Sequence, residues 1–260
     1  MSLSWRDRVN ILLAPGSVHV ARFGKGWSPR AVWSRSMQCT DADGSTWQPA
    51  LEALGKVLEL QRWNGIGARV VVSNHFARYA LVPDAAKLRD SSECMAAARH
   101  QLQSIYGDAS GSWRVAIGPA PAKGALLASA IEAPLLESIT AALSNAGLRP
   151  LAVEPLIASA FNQCRRRIAA GATWLVVAEP GRVSLAHLDR GAWLKLRVER
   201  LRAALGEALP GLLERSRLAD GESAPAGRVL LVSREPAQIE LPRGDWTIER
   251  IVLDGFGARH

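Results

Sequence analysis

The sequence predicts an α/β protein made of two similar halves, with a small α-β-β-α block inserted into the first. Three observations carry that expectation. A hairpin-like segment occurs twice at one fixed offset, short apolar runs alternate with helically spaced leucines, and the middle of the chain changes character between the two copies. The copies are Leu13 to Gly26 (LAPGSVHVARFGKG) and Ala178 to Gly191 (AEPGRVSLAHLDRG), which align without a gap. Pro15 and Pro180, Gly16 and Gly181, Ala21 and Ala186, and Gly26 and Gly191 are all 165 residues apart. Each copy reads as strand, Pro-Gly turn, alternating strand and then a glycine turn that holds a basic residue.

Taken in order, Val9 to Leu13 and Ser17 to Phe23 form the first hairpin, and Arg30 to Met37 suits a third strand. Asp41 to Thr46 is turn-rich, and from Trp47 the apolar positions Leu51, Leu54 and Leu58 mark one buried face of a helix. Ala68 to Val82 holds two strands around a polar bend at Ser73-Asn74-His75, and the all-apolar Val70 to Val72 reads as a strand covered on both faces. Asp90 is an N-cap with Glu93 three residues on, opening a helix that Gly107 ends near Tyr106. Trp113 to Ile117 and Ala125 to Ile131 are strands joined by Gly118 to Gly124, a loop without apolar anchors that is expected to be mobile. Pro134 starts a helix with Leu135, Ile139 and Leu143 on one face, and Gly147 stops it. Val153 to Arg167 is expected to be helical after Pro155, followed by the second hairpin from Thr173 to Leu194. Val198 to Leu218 carries a helical leucine pattern that Pro210-Gly211 should interrupt. Arg228 to Ser233 is another inner strand and Trp246 to Leu253 an edge strand.

Composition narrows the function classes. Of the 260 residues 48% are apolar, enough for a core without staples, yet no run of about eighteen apolar residues could span a bilayer. The first ten residues have no apolar core and no small-residue cleavage site, so no secretory signal is expected. The three cysteines, Cys39, Cys94 and Cys164, are far apart and in no C-x-x-C pair, which argues for a reducing compartment and against a disulfide framework or structural zinc. The net charge of +8 suits an acidic partner, an anionic membrane surface or nucleic acid. The dense basic run Arg165-Arg166-Arg167 sits at a helix end, and the nine tryptophans are scattered singly and not interleaved with basic residues. Asn74 and His75 are explained by a polar bend, Cys94 and His100 are six apart and face different sides of a helix, and Cys164 reads as a small core residue. No metal site is expected.

Two similar halves that open with hairpins, with a small domain inserted in the first, resemble the actin-like (ribonuclease-H-like) ATPase architecture. Val70 to Pro83 (VVVSNHFARYALVP) resembles the segment leading into the inserted subdomain of the pilus assembly protein PilM and of the cytoplasmic domain of the type II secretion protein GspL. Leu126 to Glu132, the helix ending Asn145-Ala146-Gly147-Leu148, and Val153-Glu154-Pro155 resemble the second part of that subdomain. The resemblance implies an actin-like two-lobed fold with halves at 1–87 and 150–260 and an inserted subdomain at 88–149.

In active members of that superfamily the two hairpin turns grip nucleotide phosphates through backbone N–H groups, and an aspartate organises Mg²⁺ and water. Here the first turn is Pro15-Gly16-Ser17, with no acid between Val9 and His19, and Pro15 removes an N–H. The second turn, Glu179-Pro180-Gly181-Arg182, lacks threonines and offers only Glu179. The position where a Gly-Gly pair would admit adenosine reads Ser233-Arg234-Glu235-Pro236. These degraded loops argue against ATP hydrolysis and leave no catalytic residue and no required cofactor, although Ser17 and Arg182 could still meet a phosphate of ATP. The resemblance then implies a non-catalytic cytoplasmic scaffold, peripheral to the inner membrane. Its partner would be the tail of a bitopic, PilN-like platform protein, with an assembly ATPase and a second copy of the chain as further partners. Whether it is PilM-like and recruited, or a GspL-like soluble domain, stays open. The alternatives are an ATP-binding actin-like ATPase of the same machinery, and a basic nucleic-acid-binding protein, for which the arginines are too scattered.

Overall fold

In the computed structural model, residues 7–26, 31–39, 46–119, 123–218, 227–234 and 246–253 are described. The chain forms two compact units, one of Met1–Tyr79, Tyr106–Ala116 and Ser129–Ser159, the other of Ala80–Ile105, Ile117–Ala128 and Ala160–His260.

The first unit holds a five-stranded sheet. β1 (Arg8–Ala14), β2 (Ser17–Phe23) and β3 (Ala31–Gln38) form an antiparallel meander, and β4 (Gly67–Val72) and β8 (Arg149–Pro155) add in parallel beside β1, giving the order β3-β2-β1-β4-β8. Alternation along β1 places Val9, Ile11 and Leu13 on one face, where they pack with Ala50, Leu54 and Val57 of α1 (Gln48–Leu58) and Leu135, Ile139 and Leu143 of α3 (Ala133–Asn145). The expected positions Leu54 and Leu58 are buried, and Gly147 leaves α3 at φ +77° as a helix-ending glycine does.

The second unit repeats this plan. β9 (Ala172–Glu179), β10 (Arg182–Asp189) and β11 (Ala192–Arg200) form the meander, β12 (Arg228–Ser233) and β13 (Thr247–Val252) add in parallel, and the order is β11-β10-β9-β12-β13. The registers match as well as the order. In the first sheet Arg8 lies opposite Gly67 and Leu13 opposite Val72; in the second, Thr173 lies opposite Arg228 and Ala178 opposite Ser233. A bulge follows Arg22 in the β2–β3 pairing and His187 in the β10–β11 pairing, again 165 residues apart. One face of this sheet packs Trp174, Val176, Val183, Leu185, Val229 and Leu231 against Leu209, Leu212 and Leu213 of α5 (Leu205–Leu218).

Between the meanders the chain runs through β5 (Ala77–Val82), α2 (Ser91–Tyr106), β6 (Trp113–Ile117), β7 (Leu126–Glu132), α3, β8 and α4 (Leu156–Ile168), and β5, β7 and β6 pair in that order. Asp90 caps α2 as expected, its Oδ1 accepting from the N–H groups of Ser92 and Glu93 (2.8 and 2.9 Å). Glu93 closes back one residue further than a capping box requires, on the N–H and Nε of Arg89 (2.8 and 2.7 Å).

Arg149–Pro155, for which the sequence predicts no element, is a strand: its two prolines are loop signals, but it is the sheet's edge and needs few ladder donors. The expected helical run from Val198 is corrected. β11 runs to Arg200, so the helix begins only at Leu205, and Pro210 lies inside it without ending it. The loop between β6 and β7 is anchored at its described ends: Gly118 N donates to Leu127 O (2.9 Å), Ala125 N donates to Trp193 O (3.0 Å), and Gly124, at φ +81°, lies so close to Ala192 that a Cβ would meet it at 2.9 Å. Its tip, 120–122, lies outside the described residues, as do the turn at 41–45 and the loop at 219–226.

Candidate functional site

Both repeated turns are two-residue loops closed by the sheet. Ala14 lies opposite Ser17 around Pro15-Gly16, and Glu179 opposite Arg182 around Pro180-Gly181. In each loop the residue just after the third strand bonds the turn glycine: Cys39 N donates to Gly16 O (3.0 Å) and Leu201 N to Gly181 O (2.9 Å). Because proline has no N–H, each loop presents one backbone donor, that of its glycine. The two turns differ in backbone sign. Gly181 takes φ +69°, as the third residue of a type II Pro-Gly turn does, whereas Gly16 does not enter the left-handed region.

The expected site residues gather in two groups, one in each unit. In the second sheet, Glu179 ends β9, Arg182 begins β10, and Ser233 ends β12 opposite Ala178, so all three stand where the parallel strands end. That is the rim where open α/β sheets bind ligands. Glu235 and Pro236 lie outside the described residues. In the first sheet Pro15, Gly16 and Ser17 stand at the corresponding rim, with Ser17 buried.

Sequence reasoning missed what surrounds the first rim. Ser73 and Asn74, taken as a bend, are fully buried. Ser73 N donates to Leu13 O (2.9 Å), and Ser73 Oγ accepts from His75 N (3.1 Å). Asn74 Oδ1 accepts from Tyr79 Oη (2.5 Å) and from Ile157 N (3.2 Å). Asn74 therefore caps the start of α4 from 83 residues away, and a neutral carbonyl occupies the helix N-terminus, where an anion would otherwise be favoured. Beside it, Glu154 near the end of β8 gives Oε2 to Arg69 (3.1 Å), and its buried Oε1 has no hydrogen-bond partner among the described residues. The signal available in sequence was a lone Asn after an all-apolar strand, which does not name its helix.

The remaining candidates stay apart. Cys94 and Cys164 are buried while His100 is exposed, and no three His, Cys, Asp or Glu side chains gather among the described residues. Among the described residues no helix is long and apolar enough to cross a membrane.

The sequence matches no protein-family model, and no curated protein sequence matches it. Solved structures do. A Bacteroides thetaiotaomicron protein with the actin-like ATPase fold is 9% identical with a TM-score of 0.60, over 90% of this chain and 84% of that one. The PilM–PilN type IV pilus biogenesis complex is matched at 14% identity and a TM-score of 0.64, over 87% of this chain and 81% of that one. The cytoplasmic domain of EpsL, an inner-membrane component of the type II secretion system of Vibrio cholerae, is matched at 9% identity and a TM-score of 0.56, over 97% and 88%. The chain has the actin-like ATPase fold, as its resemblance implied.

Proposed function

We propose that this chain is a non-catalytic actin-like scaffold that binds the cytoplasmic tail of a PilN-like platform protein in a pilus or type II secretion machine. The observation that carries the reading is the construction of the two turns. Each is a closed two-residue loop with proline in it, presenting one N–H where phosphate gripping needs several, and neither holds an aspartate. Asn74 adds to this by satisfying the start of α4 internally. The fold likeness to the PilM–PilN complex and to the EpsL cytoplasmic domain supports the setting. On this reading the protein works in the cytoplasm at the inner membrane, an assembly ATPase is a further partner, and residues 88–149 act as an inserted lobe. The tail docks as an added strand or in a groove.

The test pairs two titrations of the purified chain. A synthetic tail peptide should bind with 1:1 stoichiometry, and Mg²⁺-ATP should be turned over no faster than in buffer, with Glu179→Gln and Glu154→Gln unchanged in peptide binding. Steady ATP hydrolysis abolished by either substitution would replace this reading with that of an active ATPase.

A further inference from the structure

At one end of the second sheet the arginines cluster beyond what folding uses. The 24 residues from Pro155 to Ala178 contain Arg165, Arg166 and Arg167 and no acid. All three stand exposed on the last turn of α4. Cations there complement the helix dipole, but the end of α4 does not need their side chains as caps. Ala169 N closes on Arg165 O (3.0 Å), Ala170 N on Arg167 O (3.3 Å) and Gly171 N on Ile168 O (3.4 Å).

The three divide by partner. Arg167 Nε and Arg228 Nη2 share Glu249 (2.6 and 2.7 Å), and Arg228 Nη1 also reaches Arg167 O (3.3 Å). The Arg228 and Arg167 hydrogen bonds hold the Glu249 carboxyl below its ordinary range, so this trio is structural. Arg165 and Arg166 have no ion-pair partner among the described residues. Arg190 joins them: it sits exposed at the β10–β11 turn with φ +48°, and its N–H bonds Gly171 O (3.3 Å) in the segment that follows α4. Leu194, four residues on, is 45% exposed. Among the described residues the acids at this end are Asp189 and Glu249, the latter already shared.

We infer that this end of the second sheet, with Arg165, Arg166 and Arg190, is a docking surface for an anionic phospholipid bilayer. Exposed guanidinium groups with no ion-pair partner among the described residues, on flexible stems and near an exposed leucine, match a layer of phosphates above acyl chains. Nucleic acid fits less well because the aromatic rings here are withdrawn. Trp193 is buried and stacked on Phe161 (centroids 5.0 Å apart), and Trp174 is buried against His187 (4.7 Å), so neither indole is offered to a base. The inference takes its setting from the membrane-platform reading, but its test contains no protein partner, so either can fail alone.

The test is co-sedimentation of the whole chain with phosphatidylglycerol vesicles, phosphatidylcholine vesicles and, separately, a short DNA duplex. A surface cation contributes about fivefold to partition, from roughly 1 kcal/mol each. The triple variant Arg165→Gln, Arg166→Gln, Arg190→Gln should therefore bind phosphatidylglycerol about 100-fold more weakly, and Arg166→Gln alone about fivefold more weakly. A control triple of exposed arginines elsewhere, Arg62→Gln, Arg99→Gln, Arg149→Gln, changes net charge equally and should stay within about fivefold of the parent. Binding should weaken with salt and be absent on phosphatidylcholine. Equal loss in both triples, no binding to phosphatidylglycerol, or DNA binding lost in the first triple while vesicle binding persists would each overturn the assignment.

Discussion

The two five-stranded sheets share strand order, register and bulge position, yet few residues fill equivalent places in them. At the centre of the first strand Ile11 in one sheet corresponds to Val176 in the other, both fully buried. Next to the bulge, Val9 and Arg22 face each other in the first sheet, and Trp174 and His187 in the second. Backbone pairing and turn geometry thus specify the plan, while packing is solved separately in each half. Side-chain identity can drift so long as each buried position stays apolar or satisfied.

The largest effect that would sharpen this comparison lies at the matched core positions. Ile11→Ala should cost about 2–5 kcal/mol, because it leaves a cavity between β1 and the α1–α3 layer. Val176→Ala removes one carbon fewer and should cost less. Urea unfolding of the two variants measures both. A larger cost at Val176 would mean that the second sheet, not the first, is the more tightly packed.

A smaller effect separates the two turns. Gly181→Ala forces an L side chain into φ +69° and should cost about 1–2 kcal/mol, whereas Gly16→Ala, at a position outside the left-handed region with open space around its Cβ, should be within about 0.5 kcal/mol of the parent. Thermal unfolding of both decides it. Equal costs would show that the turns are the same in solution.

What could be read from the sequence follows this division. The hairpins were legible because Pro-Gly turns and alternating strands are local signals, and the offset between copies exposed the plan. β8 was not, since Pro150 and Pro155 are loop signals that only an edge position overrides. The end of β11 was hidden because Leu201, Leu205 and Leu209 keep helical spacing through a strand end, a coil and a helix. The turn residues could be named as a set because the hairpins they sit in are local signals and the resemblance supplies their positions. The Asn74 cap and the Arg69–Glu154 pair join residues 83 and 85 apart, and no local pattern announces a contact at that separation.

The last contrast is at the bulge. Arg22 is partly exposed and pairs with Asp7 (2.9 Å). His187 is buried flat against Trp174, with Trp246 edge-on to the same ring, and its Nε2 has no hydrogen-bond partner among the described residues. Burial pushes its pKa below the ordinary value, Lys195 across the strand pushes the same way, and Asp189 opposes them. The folded chain therefore keeps His187 neutral to lower pH than the unfolded chain, which protonates it below about pH 6.5. Its contribution is fully present above that pH and is lost as pH falls from there towards the depressed folded value. His187→Phe keeps a ring on Trp174 and removes the titration. Between pH 7 and 5 the parent should lose more stability than the variant, read as midpoint against pH in urea. Parallel profiles would mean that His187 finds a partner or water in solution, and that this position differs from Arg22 in packing alone.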